Sequence, residues 1–244
     1  MATAEGLSRT VKVNGMRYYD VGVDKLFPSV TTILGAMTDK SGLDQWRSRV
    51  GHEKADQISR LAANRGTVMH QMIEYYLLSN EQTAKAKLRE AQERIMAFAS
   101  EQGFSGEEVN IGRKLFYNFY NSGSFEQIAE VVSIEETLYC YREGGYAGRV
   151  DTIYRKPTGE LIISDYKTSK GPKRLEWINN YLMQVSAYFV AYWEMTGERP
   201  SGCEIWISNE QDPWPQIFSM TMEEIKVNAA KFLGLVKAFH AQHA

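Results

Sequence analysis

Near residue 131 the hydrophobic period of this chain changes from that of helices to that of strands, and that change limits its fold more than any other feature. From about Leu43 to Val131 apolar residues recur at helical spacing, with Ile58, Leu61, Ala62, Met69, Met72, Ile73, Tyr76 and Leu77 marking one such face. Turn signals at Ser79-Asn80, Gly103 to Gly106 and Asn121 to Gly123 cut this stretch into separate helices. Beyond it the period is two. Val132, Ile134, Leu138 and Cys140 alternate with polar positions, Gly144-Gly145 turns the chain, and Tyr146 to Tyr154 makes a second strand. A turn at Lys156 to Gly159 leads to a third strand, Leu161 to Lys167. A helix from about Trp177 to Met195, a strand from Cys203 to Ser208 and a helix from Thr221 to His240 complete the pattern. Helices, then a β-meander, then αβα predict a single α/β domain over residues 1–244. Within it, residues 28–130 form a helical N-terminal part and 131–244 a core.

Ahead of the helices, Asn14-Gly15 between Val11-Lys12-Val13 and Met16-Arg17-Tyr18-Tyr19 predicts a two-residue hairpin. Pro28-Ser29 predicts a helix start, with Ser29 as its N-cap. A chain of 244 residues with 43% hydrophobic residues can bury a substantial core. Its net charge of -2 excludes a polycation, so any nucleic-acid surface must be local. Cys140 and Cys203 are the only cysteines and have no CxxC spacing, which argues against a disulfide framework, a zinc site or an iron–sulfur cluster. Met1 to Thr10 shows neither a signal-peptide h-region nor an organelle presequence, and no run approaches the roughly 18 apolar residues of a membrane span. A soluble protein of a reducing cytoplasm is expected.

The charges that stand out lie on the strands. A turn centred on Thr158 makes Asp151 and Asp165 cross-strand neighbours, roughly 5 Å apart at Cβ. Like charges so placed destabilise a sheet, and a magnesium or manganese ion that takes both as oxygen ligands removes the repulsion. Lys167, two residues past Asp165, shares its face and would hold an attacking water or steady charge on a phosphate; burial would lower its pKa toward a base role. The plainer alternative is a pair of exposed acids salt-bridged to Lys167 and Arg149. Against it, Leu161, Ile162 and Ile163 are apolar on both faces, as in a central strand with charges at its end.

Other residues gather around this pair. His70 stands four residues before Glu74 on one helix face and is a candidate metal ligand, with Glu74 to orient it and Gly66 to admit a neighbouring backbone. Gln184 and Tyr188 form a second i, i+4 pair on a stripe with Tyr181, suited to a phosphate or a metal-bound water and to packing beside the lysine. Glu135 and Glu136 point to opposite faces of their strand, so at most one enters the site; Glu136 shares its side with Val132, Ile134 and Leu138, and Glu135 is a candidate ligand through a water. Lys170, Lys173, Arg174 and Arg149 are candidate backbone contacts for a nucleic acid. Phe116, Tyr117, Phe119 and Tyr120 are either base-stacking residues or core. Lys85, Lys87, Arg89 and Arg94 interleave with Glu90 and Glu93 and read as a helix surface.

Four short runs together resemble the PD-(D/E)XK nuclease superfamily in its RecB-like exonuclease branch: Gly66-Thr67-Val68-Met69-His70 with Glu74, Gly145 to Asp151, Ile163 to Lys170, and Gln184 to Tyr188. Phe27 to Leu34, followed by Trp46, is similar to the opening of the mitochondrial genome-maintenance exonuclease and its phage relatives, and a bacterial or phage version fits the missing presequence. The resemblance covers nearly the whole chain from residue 27. It implies a central mixed sheet flanked by helices, with a helical part that arches over the site. It implies metal ligation by His70, Asp151, Asp165 and the backbone carbonyl of Tyr166, catalysis by Lys167, and support from Gln184 and Tyr188. It further implies hydrolysis of single-stranded DNA from an end with magnesium or manganese, alongside replication or recombination proteins. An endonuclease on the same core and a non-catalytic DNA-binding protein are the competing readings.

Overall fold

The computed structural model describes residues 9–23 and 25–243. The targeting-signal reading of Met1 to Thr10 therefore falls largely outside the described residues. Strands β1 (Arg9–Val13) and β2 (Met16–Asp20) form the expected hairpin, and the short β3 (Leu26–Pro28) adds a third strand. Ser29 then caps α1 (Val30–Met37), its hydroxyl accepting the Thr32 N–H at 2.9 Å. The helical stretch resolves into α2 (Ser41–Val50), α3 (His52–Leu77), α4 (Ala84–Gln102) and α5 (Gly106–Asn121). Gly51, at φ 92°, parts α2 from α3. Gly103 closes α4 in the left-handed conformation, and Ser105 opens α5 with a capping box.

The core follows as β4 (Glu130–Cys140), β5 (Tyr146–Arg155), β6 (Leu161–Ser169), α6 (Asn179–Thr196), β7 (Gly202–Asn209), β8 (Gln216–Met220) and α7 (Met222–Gln242). The sheet order is β4-β5-β6-β7-β8, with β6 and β7 parallel and the other pairs antiparallel. β6 is the central strand that its two apolar faces predict. β8 is an element the sequence reading lacks: its five residues are half solvated, and Pro213 and Pro215 precede it like an ordinary loop.

Helices cover both faces of the sheet, giving three layers. On one side α1, α6 and α7 pack on Leu161, Ile163, Ile205 and Ile207. On the other, α3 and α5 pack on Tyr154, Ile162, Tyr166 and Trp206. Phe116 and Phe119 are fully buried in this second cluster, and Tyr117 and Tyr120 pack against it, so the aromatic run of α5 is core rather than a stacking surface. The close α3–α5 contact depends on Gly112, where a Cβ would lie 2.5 Å from Val68 Cβ and 2.8 Å from the Arg65 carbonyl. Gly66 makes no such demand: its Cβ would stand in ordinary contact, 3.6 Å from Thr168 Oγ1. Arg89–Glu93 and Arg94–Glu90 ion pairs line the outer face of α4, as its charge alternation predicts.

Candidate active site

β5 and β6 form a fork. Their ladder runs from Arg155–Leu161 to Thr152–Ser164 in the expected register and stops one step short of Asp151 and Asp165. Past that point β6 stays with β7, while the freed edge of β5 meets the start of the chain through a bridge between Ala147 and Ser29. Asp151 closes the fork, its Oδ2 accepting the Tyr166 backbone N–H at 2.6 Å. The N–H and C=O of one strand residue point the same way, so the Tyr166 carbonyl also faces the gap.

The residues around the fork come from five elements. His70, from α3, places Nδ1 3.5 Å from Asp151 Oδ1. Glu135, from β4, completes a group in which one ligand atom each of His70, Glu135 and Asp151 lies within 4.8 Å of the others. Glu135 is held there by an unusual backbone: its φ of 51° is left-handed, a conformation costly for a residue with a Cβ and often retained at functional sites. Arg149 binds the Glu135 carboxylate at 2.9 Å and its carbonyl at 2.8 Å. Asp165, from β6, is buried and ion-paired to Lys167; neither of its oxygens accepts a hydrogen bond from another described group. Below them, Gln184 and Tyr188 of α6 are joined by a 3.1 Å hydrogen bond, and the Tyr181 ring lies 5.2 Å from the Lys167 ammonium.

Glu135 thus stands among the grouped atoms, while Asp165 is turned to Lys167 beside them. Glu74 does not orient His70; it accepts a hydrogen bond from Gln71 at 2.7 Å. Gly148 provides room for Tyr188, since a Cβ there would come within 2.6 Å of Tyr188 Cε1. The cavity, about 580 Å³, is also lined by Thr10, Arg17, Tyr19 and Thr31 from the N-terminal sheet and α1, and by Thr137. None of these five was singled out in the sequence. Thr137 carries a usable signal, the same strand face as Glu135, but the others reach the site only through tertiary packing. A second groove of about 480 Å³ shares His70, Glu135, Arg149 and Lys167 and continues past Gly66, Thr67 and Thr168. Lys170 and Arg174 are exposed on the loop after β6, with Lys173 half-buried between them.

The electrostatics are those of carboxylates sharing a small space. Burial, with the Asp151 charge beside it, pushes Glu135 up to about 7 against the pull of Arg149. Burial likewise raises Asp165 to about 6 despite Lys167. Burial also opposes the charge on Asp151, but His70, Lys167 and the Tyr166 N–H together hold it below the usual range. His70 is raised, because Asp151 outweighs desolvation. Lys167 runs against expectation: desolvation lowers it, yet Asp165 and Asp151 more than compensate, and its pKa is raised. That direction favours the ammonium form over a base role. Two carboxylates and one imidazole gathered beside a buried acid whose partner is the Lys167 ammonium fit a divalent cation. His70, Glu135 and Asp151 are the groups whose ligand atoms converge closely enough to hold one.

A family model of the PD-(D/E)XK nuclease superfamily matches residues 41–235. A solved structure of a candidate exonuclease from Eubacterium rectale is similar at 12% identity and a TM-score of 0.48, covering 73% of this chain and 65% of that one. The chain thus spans just under two thirds of that protein's length. SSO0001 is similar at 15% identity and a TM-score of 0.34, covering 69% of this chain and 84% of that one. No curated protein matches the sequence. No helix among the described residues is long and apolar enough to cross a membrane.

Proposed function

Because the chain belongs to the PD-(D/E)XK nuclease superfamily, we propose that it is a magnesium- or manganese-dependent exonuclease that degrades single-stranded DNA from a free end. The observation that carries this reading is the fork: His70, Glu135 and Asp151 converge on one point beside the Asp165–Lys167 pair. His70, Asp151, Asp165 and the Tyr166 carbonyl would hold the cation, with Glu135 directly or through a water. When bound, the cation supplies charge neutralisation and Lewis-acid activation of the phosphodiester. Lys167 keeps its proton and steadies the charge that grows on the phosphate, and it orients the attacking water through a hydrogen bond. Gln184 holds the Tyr188 hydroxyl in the wall of the cavity that Lys167 also lines. Arg149, Lys170, Lys173 and Arg174 meet the DNA backbone.

The preference for a single strand follows from the helical part. Over residues 41–67, Ala55 is the one buried residue, so α2 and the first half of α3 are largely solvated, which supports reading them as an arch that a flexible strand threads. Such an enzyme serves replication, recombination or DNA breakdown in a bacterial or phage-infected cytoplasm.

The test is degradation of single-stranded DNA labelled at either end, with magnesium or manganese, by wild type and Lys167→Ala, beside a circular strand. Loss of the linear strand, a spared circle and an inactive variant are expected. A cut circle would replace this reading with an endonuclease, and no cleavage in either metal would replace it with an RNase or a binding protein.

A further inference from the structure

Of the five tryptophans, Trp177 and Trp214 are the most exposed, at 59% and 65%. They belong to different loops, yet those loops are locked together. The Lys173 N–H donates to Gln216 Oε1 at 2.6 Å, and Gln216 Nε2 donates back to the Lys173 carbonyl at 2.9 Å. The Glu210 N–H adds a bond to the Ser169 carbonyl at 3.2 Å.

Each tryptophan is also tied down locally. The Trp214 backbone, rather than its ring, is what is fixed: the residue sits between Pro213 and Pro215, and its backbone N–H donates to the Asp212 carboxylate at 2.9 Å. Trp177 lies under the Arg174 guanidinium, 5.3 Å from its ring centre, and Leu175, 49% exposed, lies between them in sequence. Aromatic surface exposed to water marks a binding site when it is grouped rather than scattered.

The surface is continuous with the fork. Trp177 precedes α6, four residues before Tyr181, whose ring centre lies 5.2 Å from the Lys167 ammonium. Arg174 lies over the Trp177 ring, and Lys170 and Lys173 belong to the same loop; of the nearby acids, Glu176 is 3.9 Å from Arg174, and Asp212 is bonded to the Trp214 backbone.

We propose that Trp177 and Trp214, with Arg174 and the two lysines, form a base-stacking platform for the single-stranded DNA segment beside the scissile phosphate. This rests on the nuclease reading above and extends it to the strand-binding residues. The occupant follows from the chemistry: cations at the rim take phosphates, and flat, uncharged indoles take bases that only a single strand leaves open.

The measurement is equilibrium binding of a labelled oligo(dT) in EDTA, where cleavage is blocked, followed also by quenching of tryptophan fluorescence. Trp177→Ala and Trp214→Ala should each weaken binding about tenfold, the scale of one lost base stack, and reduce the quenching. Trp→Phe at either site should restore most of the affinity. Trp193→Ala, which removes another exposed indole from the far end of α6, should leave affinity unchanged. Dissociation constants within twofold of wild type for both alanine variants would overturn the platform and leave the surface to a protein partner. The two readings fail separately: DNA cleavage with unaltered variants removes only the platform. Strong, tryptophan-dependent oligo(dT) binding with no cleavage in either metal removes only the nuclease.

Discussion

Gly148→Ala is the substitution that most directly tests how the fold positions the site. The added methyl would lie 2.6 Å from Tyr188 Cε1 and 3.2 Å from Val30 Cγ2. Carbon atoms rest at about 3.5–4.0 Å, so the Tyr188 ring must retreat by about 1 Å. It is only 3% exposed and has little free space to enter. Overpacking of this kind costs about 1–3 kcal/mol. For a chain of this size each kcal/mol lowers Tm by about 2–4 °C, so a fall of about 4–8 °C is expected for the middle of that range. The shifted ring also strains the Gln184–Tyr188 hydrogen bond, and single-strand hydrolysis should drop with the folded protein still present. A double-mutant cycle separates the causes. In a Tyr188→Ala background the same glycine change should cost less than half as much, because only the Val30 contact remains. An unaltered Tm, or an equal cost in both backgrounds, would refute the claim that Gly148 exists to seat Tyr188.

Glu204 is buried and accepts from Tyr154 Oη (2.7 Å), Trp206 Nε1 (2.9 Å) and Lys156 Nζ (2.7 Å). Burial raises its pKa, but these donors outweigh it and hold it below 4.5. Its stabilisation is therefore full above the unfolded glutamate value and is lost as pH falls through the lower folded value. Glu204→Gln should flatten this acid limb in urea titrations across pH, and Glu204→Ala, which strands Lys156 and two buried donors, should cost about 3–5 kcal/mol. At Glu135 the left-handed backbone predicts that Glu135→Gly is more stable than Glu135→Ala by about 1 kcal/mol in urea unfolding, while both lose hydrolysis. Gly112→Ala should lower stability by about 1–3 kcal/mol through the α3–α5 contact without touching a site residue, read as a lower Tm.

The elements were legible where one physical rule decides them. Asn14-Gly15 fixed a hairpin, Ser29 a cap, and the turn near Thr158 the register of β5 on β6. Because side chains alternate along a strand, that register placed Asp165 and Lys167 on one face before any coordinate was known. What stayed hidden depends on departures from regularity. Alternation alone does not say that Glu135 adopts a positive φ. Nor does periodicity reveal that Arg17 and Thr31 reach the cavity, since their elements dock there through the Ala147–Ser29 bridge. The pKa of Lys167 was misread for a different reason: both carboxylates were legible beside it, but burial was weighted above two charges close enough to overrule it.

The fork shows why an interrupted ladder is useful in such a site. Had β5 and β6 stayed paired through Asp151, the N–H and C=O of Tyr166 would both belong to the ladder. Because the strands separate, the N–H is taken by a side chain, Asp151, and the C=O is left to face the cavity. The same separation gives Tyr188 its place against Gly148 and lets Ser29, with α1 behind it, dock on the freed edge of β5. Asp151 therefore has a structural share as well as an electrostatic one. Asp151→Asn keeps an oxygen to accept the Tyr166 N–H and should preserve the fork, whereas Asp151→Ala strands a part-buried backbone donor at about 1–3 kcal/mol. Both substitutions remove the charge that the site concentrates. A difference in stability between two equally inactive variants would isolate the structural share, and equal stability would show that the fork holds without its carboxylate.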